Sequence, residues 1–271
     1  MYAAPIWSLR YIIEVEKIQN IFFRKLLLLP NNTPGYVIRN EINIESLEVV
    51  IFRNVLNFMQ KILEMNDERI PKICLKRLIV IAESDELNGK YNWVSQIKKV
   101  FLVKINKSNI FDNLNLELFL REKDSLIKDF IEYSRNKDIL KIETNKSLNV
   151  YPILFKSDFN NKYLNLKVPL YFKRVLAQIR IINIYNPRIV TKNKSYPLNE
   201  EEYCELCAER NTIFHSMIYC QRYNSYRYEL VPEIENSEME NGFFYIINRL
   251  NEEKIKKLVK FVNIILNDLD K

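Results

Sequence analysis

Three of the four cysteines and the only histidine of this 271-residue chain fall within one stretch, Cys204 to Cys220, "CELCAERNTIFHSMIYC". The spacing is C-x2-C-x7-H-x4-C. Thiolate sulfur and imidazole nitrogen are the ligands of structural zinc, which takes four of them in a tetrahedron. A C-x2-C pair presents both sulfurs from one tight turn. His215 and Cys220 are five residues apart, slightly wide of one α-helical turn, which a frayed helix end can close. Ile213, Phe214, Met217 and Ile218 can wrap the site and exclude water. The alternative, small buried core thiols, is opposed by the concentration of scarce residues and by the glutamate-rich "NEEEYCELC" that opens the stretch. Cys204, Cys207, His215 and Cys220 are therefore expected to bind Zn2+, contributing on the order of 10 kcal/mol to local folding. Four protein ligands leave no open position for a catalytic water, so the expected role is structural. Cys74 lies far away and is expected in the core.

Charge gives the second signal. From Phe159 to Asn199 there are eight basic residues (Lys162, Lys167, Lys173, Arg174, Arg180, Arg188, Lys192 and Lys194) and no acid. The whole chain carries +7, but residues 1–158 carry +4, this window +8, and residues 200–271 carry −5. The cationic excess thus lies directly before the cysteine stretch, which points to a polyanionic partner, RNA or DNA. The candidate contacts are Lys173, Arg174, Arg180, Arg188, Lys192, Lys194, Arg222 and Arg227, with Tyr223, Tyr226 and Tyr228 able to stack on bases.

Several classes are excluded. Only three glycines occur, and neither GxGxxG nor GxxxxGK[ST] is present, so no phosphate loop is expected. There is no second histidine, no nucleophile elbow and no carboxylate pair that reads as a site. No apolar run reaches the ~18–20 residues of a membrane span. Arg10 and Glu14 interrupt the N-terminal apolar stretch, which does not read as a secretion signal. An intracellular chain with reduced thiols is expected.

The elements that position these residues read as helices, and the fold class expected is mainly α. Tyr11, Val15, Ile18, Phe22, Leu26 and Leu29 recur three or four apart, so that face is expected to be buried. A second helix is expected from about Ile44 to Met65, with Leu47, Ile51, Val55, Phe58 and Ile62 inward. Others are expected from about Asp67, around Trp93 to Phe101, and over Leu116 to Tyr133. Residues 139–165 read as a linker or irregular segment. This divides the chain into a helical region over 1–138 and a second over 166–271, which holds the basic helix, the Cys/His module and the C-terminal helices. A helix starting near Pro169 is expected to bury Val175, Leu176, Ile179 and Ile182 while leaving Lys173, Arg174 and Arg180 outside. In the last helix Asn251 can cap and Ile255, Leu258, Val262 and Ile265 form the apolar face.

These motifs carry a resemblance. "YCELCAERNTIFHSMIYCQRYNSYR" resembles the zinc-binding module at the C-terminal end of LINE-type, jockey-like non-long-terminal-repeat retrotransposon reverse transcriptases. The matching positions are Cys204, Cys207, His215, Cys220 and Arg227. Phe214 and Glu205 stand where the family often has Glu and Pro, and neither change removes a ligand. "YLNLKVPLYFKRVLAQIRIINIYN" is similar to the helix before that module, with Arg180 in the place of a common arginine. "MYAAPIWSLRYIIEVEKIQNIFFRKLLLLPNNTPGYVIRNEINI" is similar to the thumb segment after the polymerase palm, with Ala3 where glycine is usual. The resemblance implies a helical thumb over 1–138, with Arg24, Lys25, Lys98 and Lys99 tracking the template–primer duplex. It further implies support for RNA-templated DNA synthesis at a nicked target, the remainder of a reverse transcriptase polyprotein as partner, and a nuclear location. The magnesium-binding Asp-Asp pair of that polymerase does not occur in this sequence, so this chain is expected to be inactive alone. A second class stays open: a domesticated protein–protein scaffold in which the zinc only stabilises the fold.

Overall fold

The computed structural model describes residues 11–83, 92–107, 115–146, 148, 151–156, 162–181, 188–191, 195–197, 203–230 and 247–268. The chain is mainly α-helical, as its periodicity requires. It divides into two compact units, Met1–Gln19 with Ile44–Leu140, and Asn20–Asn43 with Lys141–Lys271.

In the first unit, α3 (Leu47–Leu63) packs with α4 (Ile70–Glu83), α5 (Trp93–Val100) and most of α6 (Leu116–Thr144). Leu47, Ile51, Val55 and Ile62 are buried along α3 as the spacing predicts, and Phe58 is half-buried. Its centre is aromatic: Phe52 lies 4.8 Å from both Phe101 and Phe130, and those two rings are 5.0 Å apart. Ser46 caps α3 and also meets the Ser134 hydroxyl at 2.9 Å. Asn92 caps α5 by accepting from the N–H groups of Val94 and Ser95, and donates to the Leu78 carbonyl. Those bonds satisfy helix-end donors that have no partner within the helix.

Two expectations about these helices are corrected. On α1 (Ile12–Leu27) the buried side chains are Ile12 and Leu27, while Tyr11, Ile18 and Phe22 are 45%, 68% and 60% exposed. Val15 and Leu26 of the expected face are half-buried and Leu29 is buried, so packing takes up only part of that face. Cys74 is exposed on α4, because Leu75 beside it takes the inward position.

The second unit supplies the frame for the Cys/His module. Its core joins Leu27, Val37, Ile38, Tyr151, Leu154, Val175, Leu176, Ile179, Met217, Ile255, Phe261 and Ile265. The contributing elements are α2 (Gly35–Ile42), α7 (Tyr151–Lys156), α8 (Leu170–Ile181), α9 (Asn224–Leu230) and α10 (Glu252–Asp268). The described residues within 139–165 are largely helical rather than irregular. The helix α6 continues to Thr144, and Ile142, Leu148, Tyr151, Leu154 and Tyr163 are all buried in this core. Their apolar side chains gain more from burial than an irregular segment in water would.

The basic loop after α8 contains a short antiparallel hairpin, β1 (Arg188–Val190) and β2 (Ser195–Pro197), with Ile189 opposite Tyr196. Gln178 of α8 docks it like a third strand. Its amide accepts from the Val190 N–H at 2.6 Å and donates to the Val190 carbonyl at 3.0 Å. The helix α10 is capped as expected, Asn251 Oδ1 accepting from the Lys254 N–H at 2.8 Å.

Candidate metal centre

The Cys/His module is held against α10. Met217 and Ile218 join the core formed by Ile255, Leu258 and Val262, and Tyr223 meets Phe261 edge to face at 6.4 Å. The first ligand pair sits on a turn closed by three backbone bonds. Cys207 N–H and Ala208 N–H donate to the Cys204 carbonyl, and Cys204 N–H donates to the Glu209 carbonyl at 2.8 Å. Ala208 takes φ +55°, a left-handed conformation that normally favours glycine. A bridge between Tyr203 and Arg210 closes the base of the turn.

The second pair sits on a π-helical turn, His215–Tyr219. Its wide i→i+5 bond runs from the Cys220 N–H to the His215 carbonyl at 2.8 Å. An α turn would leave ligands five apart rotated past one another; the π turn brings them to one side. The x4 spacing thus has a structural meaning that differs from the frayed end expected of it.

All four ligand atoms lie within 4.8 Å of one another. Cys204 Sγ and Cys220 Sγ are 3.7 Å apart. That is too long for a disulfide, whose S–S bond is about 2.05 Å. It matches the edge of about 3.8 Å of a tetrahedron with metal–sulfur bonds of about 2.3 Å. His215 is buried, yet neither ring nitrogen has a hydrogen-bond partner within the protein. A buried polar group left so costs about 1–3 kcal/mol, which a bound ion would remove. The thiols show the same incompleteness. Burial opposes ionisation of Cys204, but the neighbouring His215 and the backbone N–H groups of Leu206 and Cys207 outweigh it and pull the thiol down to about 6. Cys220 is pushed up to about 11, first by burial and then by the charge of Cys204 and Cys207. These residues could hold a metal ion.

Comparison of the chain with protein-family models, with curated proteins and with solved structures gives no match. The functional reading therefore rests on the residues and their placement.

The predicted nucleic-acid residues separate into groups. Arg180 and Arg227 cannot be surface contacts as expected. Arg180 is 0% exposed on α8 and pairs with the equally buried Glu41 at 2.7 Å, with Nη1 reaching Asn248 Oδ1 and the Ile247 carbonyl. Tyr163 donates to the same Glu41 oxygen and places its ring under the guanidinium, 5.3 Å from its centroid. Arg227 is 8% exposed and is spent on backbone carbonyls. Tyr223 is buried, so it does not stack on bases. Lys173 and Arg174 are half-buried and donate to the carbonyls of Leu164 and Leu26. Arg24 likewise donates to the Thr33 carbonyl. Arg222, Tyr226 and Tyr228 are exposed, as are Lys25 and Lys99, while Lys98 is half-buried. Arg188 lies on β1; Lys192 and Lys194 lie outside the described residues.

Charge and spacing alone had passed over Arg210, Tyr203 and Tyr219, which are exposed on the metal module. Lys162 and Lys167 are exposed at the start of the basic window. Part of the signal was in the sequence: cations and tyrosines recur through 203–228, although Tyr223 and Arg227 of that stretch are buried.

Proposed function

We propose that this chain is a zinc-stabilised nucleic-acid-binding region, corresponding to the C-terminal part of a LINE-type reverse transcriptase. The observation that carries the reading is the division of labour within residues 203–228. The ligand set faces inward, while Tyr203, Arg210, Tyr219, Arg222, Tyr226 and Tyr228 are exposed on the same small module. Exposed cations interleaved with tyrosines suit a backbone-tracking, base-stacking surface. The acid-free window that precedes the module adds the exposed Lys162 and Lys167.

Zinc is the ion of choice. Three thiolates and one imidazole select it over magnesium or calcium, which take oxygen ligands. Four ligands within 4.8 Å fill a tetrahedron and leave no position for substrate or water. The ion holds the turn and the π-helix together so that the outer side chains keep their places. The sequence holds no adjacent aspartates, so nucleotide transfer is not assigned to these residues.

Fluorescence anisotropy with single-stranded RNA over a salt series tests the reading. If about five phosphates are neutralised, log K falls with log salt at a slope of roughly −3.5. Zinc-loaded protein that fails to bind RNA at low salt sinks the proposal and leaves the basic window for an acidic protein partner. Elemental analysis should give one zinc per chain.

A further inference from the structure

A π-helical turn is rare, and the carbonyls of its last turn have no partner within the helix. Here the chain turns to an extended conformation at Cys220 (φ −63°, ψ 125°); the 3-10 turn that follows, Gln221–Tyr223, supplies the Tyr223 N–H to the Cys220 carbonyl at 3.3 Å, out of line with the Ser216 and Met217 carbonyls. The Arg227 guanidinium supplies donors to all three from α9. Nε donates to the Met217 carbonyl at 2.9 Å, and Nη2 to the carbonyls of Cys220 at 2.9 Å and Ser216 at 3.4 Å. Nη1 donates to Asn224 Oδ1 at 2.6 Å, which fixes the plane of the fork.

The three carbonyls fall at the two ends of the ligand turn. Ser216 and Met217 directly follow His215, and the Cys220 carbonyl belongs to a ligand residue itself. A planar five-donor fork can hold all three at once; a lysine ammonium on a flexible stem cannot reproduce that geometry. We propose that Arg227 is the positioning residue of the metal centre: it holds the π turn in the shape that brings His215 and Cys220 together, and so sets how tightly the ion is kept. This rests on the metal part of the reading above and is independent of nucleic-acid binding. It also explains why an arginine at this position is buried although the segment around it is exposed.

The test uses the full chain, stripped of metal and titrated with Co2+, whose visible and thiolate charge-transfer bands report the ligand set. Zn2+ affinity then follows by competition. Groups that orient metal ligands from behind commonly cost 10–100-fold in affinity when removed. Arg227→Lys, which keeps the charge, is expected to lose at least tenfold in Zn2+ affinity and to show weakened Co2+ bands, with the far-ultraviolet circular dichroism of the metal-loaded chain unchanged. Asn224→Ala, at an exposed position, withdraws only the oxygen that fixes Nη1 and is expected to lose several-fold. An Arg227→Lys chain that keeps Zn2+ within twofold of wild type overturns the proposal. If Arg227→Lys does not fold, Asn224→Ala decides alone, and unchanged affinity there overturns it. Wild-type protein that takes up neither ion fails the metal reading instead, which is a different result.

Discussion

Arg180 offers the sharpest quantitative test, because the sequence places it among the nucleic-acid contacts and the structure places it in the core. Its Nε donates to Glu41 Oε1 at 2.7 Å, and both side chains are 0% exposed. Glu41→Leu removes the counter-charge and the acceptor of the Tyr163 hydroxyl. Arg180 keeps neutral oxygens among its partners, Asn248 Oδ1 at 3.0 Å and the Ile247 carbonyl at 3.3 Å, but loses the carboxylate. A buried charge stripped of its partner costs about 3–5 kcal/mol. Arg180→Met, close in volume, strands Glu41 in the same way and should cost a similar amount. The double variant carries neither charge of this pair, and hydrophobic replacement of a whole pair is neutral or favourable in comparable cases. It should therefore lie within about 2 kcal/mol of wild type, the residual reflecting the lost acceptor of Tyr163. The coupling energy expected from this double-mutant cycle is about 3 kcal/mol or more. Urea unfolding at a fixed excess of zinc measures it without a changing metal contribution. Additive losses in the double variant, with coupling below about 0.5 kcal/mol, would refute the paired-charge reasoning. RNA binding adds a second readout. Folded Arg180→Met should keep the wild-type salt slope, whereas loss of a phosphate contact would reduce it by about 0.7.

Replacing Cys220 or His215 with Ala, or adding a chelator, should unfold residues 203–228 while most helical dichroism persists; retained proteolytic protection of that segment would count against a structural ion. Ala208 sits in the left-handed region, so Ala208→Gly should stabilise the metal-bound chain by roughly 0.5–1 kcal/mol and Ala208→Val should destabilise it, read from thermal unfolding; equal effects would contradict the turn geometry. Tyr151 and Tyr163 are held well above the ordinary tyrosine value, first by burial and then by the Glu41 charge. A raised folded-state value means stability is full below about pH 10 and declines above it, by about 1.4 kcal/mol per pH unit for each tyrosine until the folded form ionises. Tyr163→Phe should halve that alkaline slope. Primer extension with magnesium and purified chain should give no incorporation, and clear nucleotide addition would overturn the assignment of a purely binding role.

The Cys/His cluster was legible because it is a local pattern. Ligand types, scarcity and spacing all lie within seventeen residues, and their convergence needs only one turn and one helix. Even there the sequence did not reveal that a π turn, rather than a frayed end, closes the x4 spacing, since that depends on Arg227 arriving from the next helix. The apolar face of α3 was legible because only one face carries a continuous stripe. On α1, where Ile and Phe occur all round, periodicity indicated a face of which Tyr11, Ile18 and Phe22 stay exposed, Val15 and Leu26 are half-buried and Leu29 is buried. The segment 139–165 looked irregular because its helices are short, and its core role depends on residues distant in sequence, such as Val37 opposite Tyr151.

By itself the sequence determined that this is a helical chain with a Cys3His cluster and a cationic window beside it, because each is a property of neighbours along the chain. Which arginines face solvent was decided only by tertiary structure. Arg180 and Arg227 are indistinguishable from Arg222 by local pattern. They are buried because Glu41, and the carbonyls of Ser216, Met217 and Cys220, are brought to them by other elements, and a charge enters the core only where folding delivers its partners.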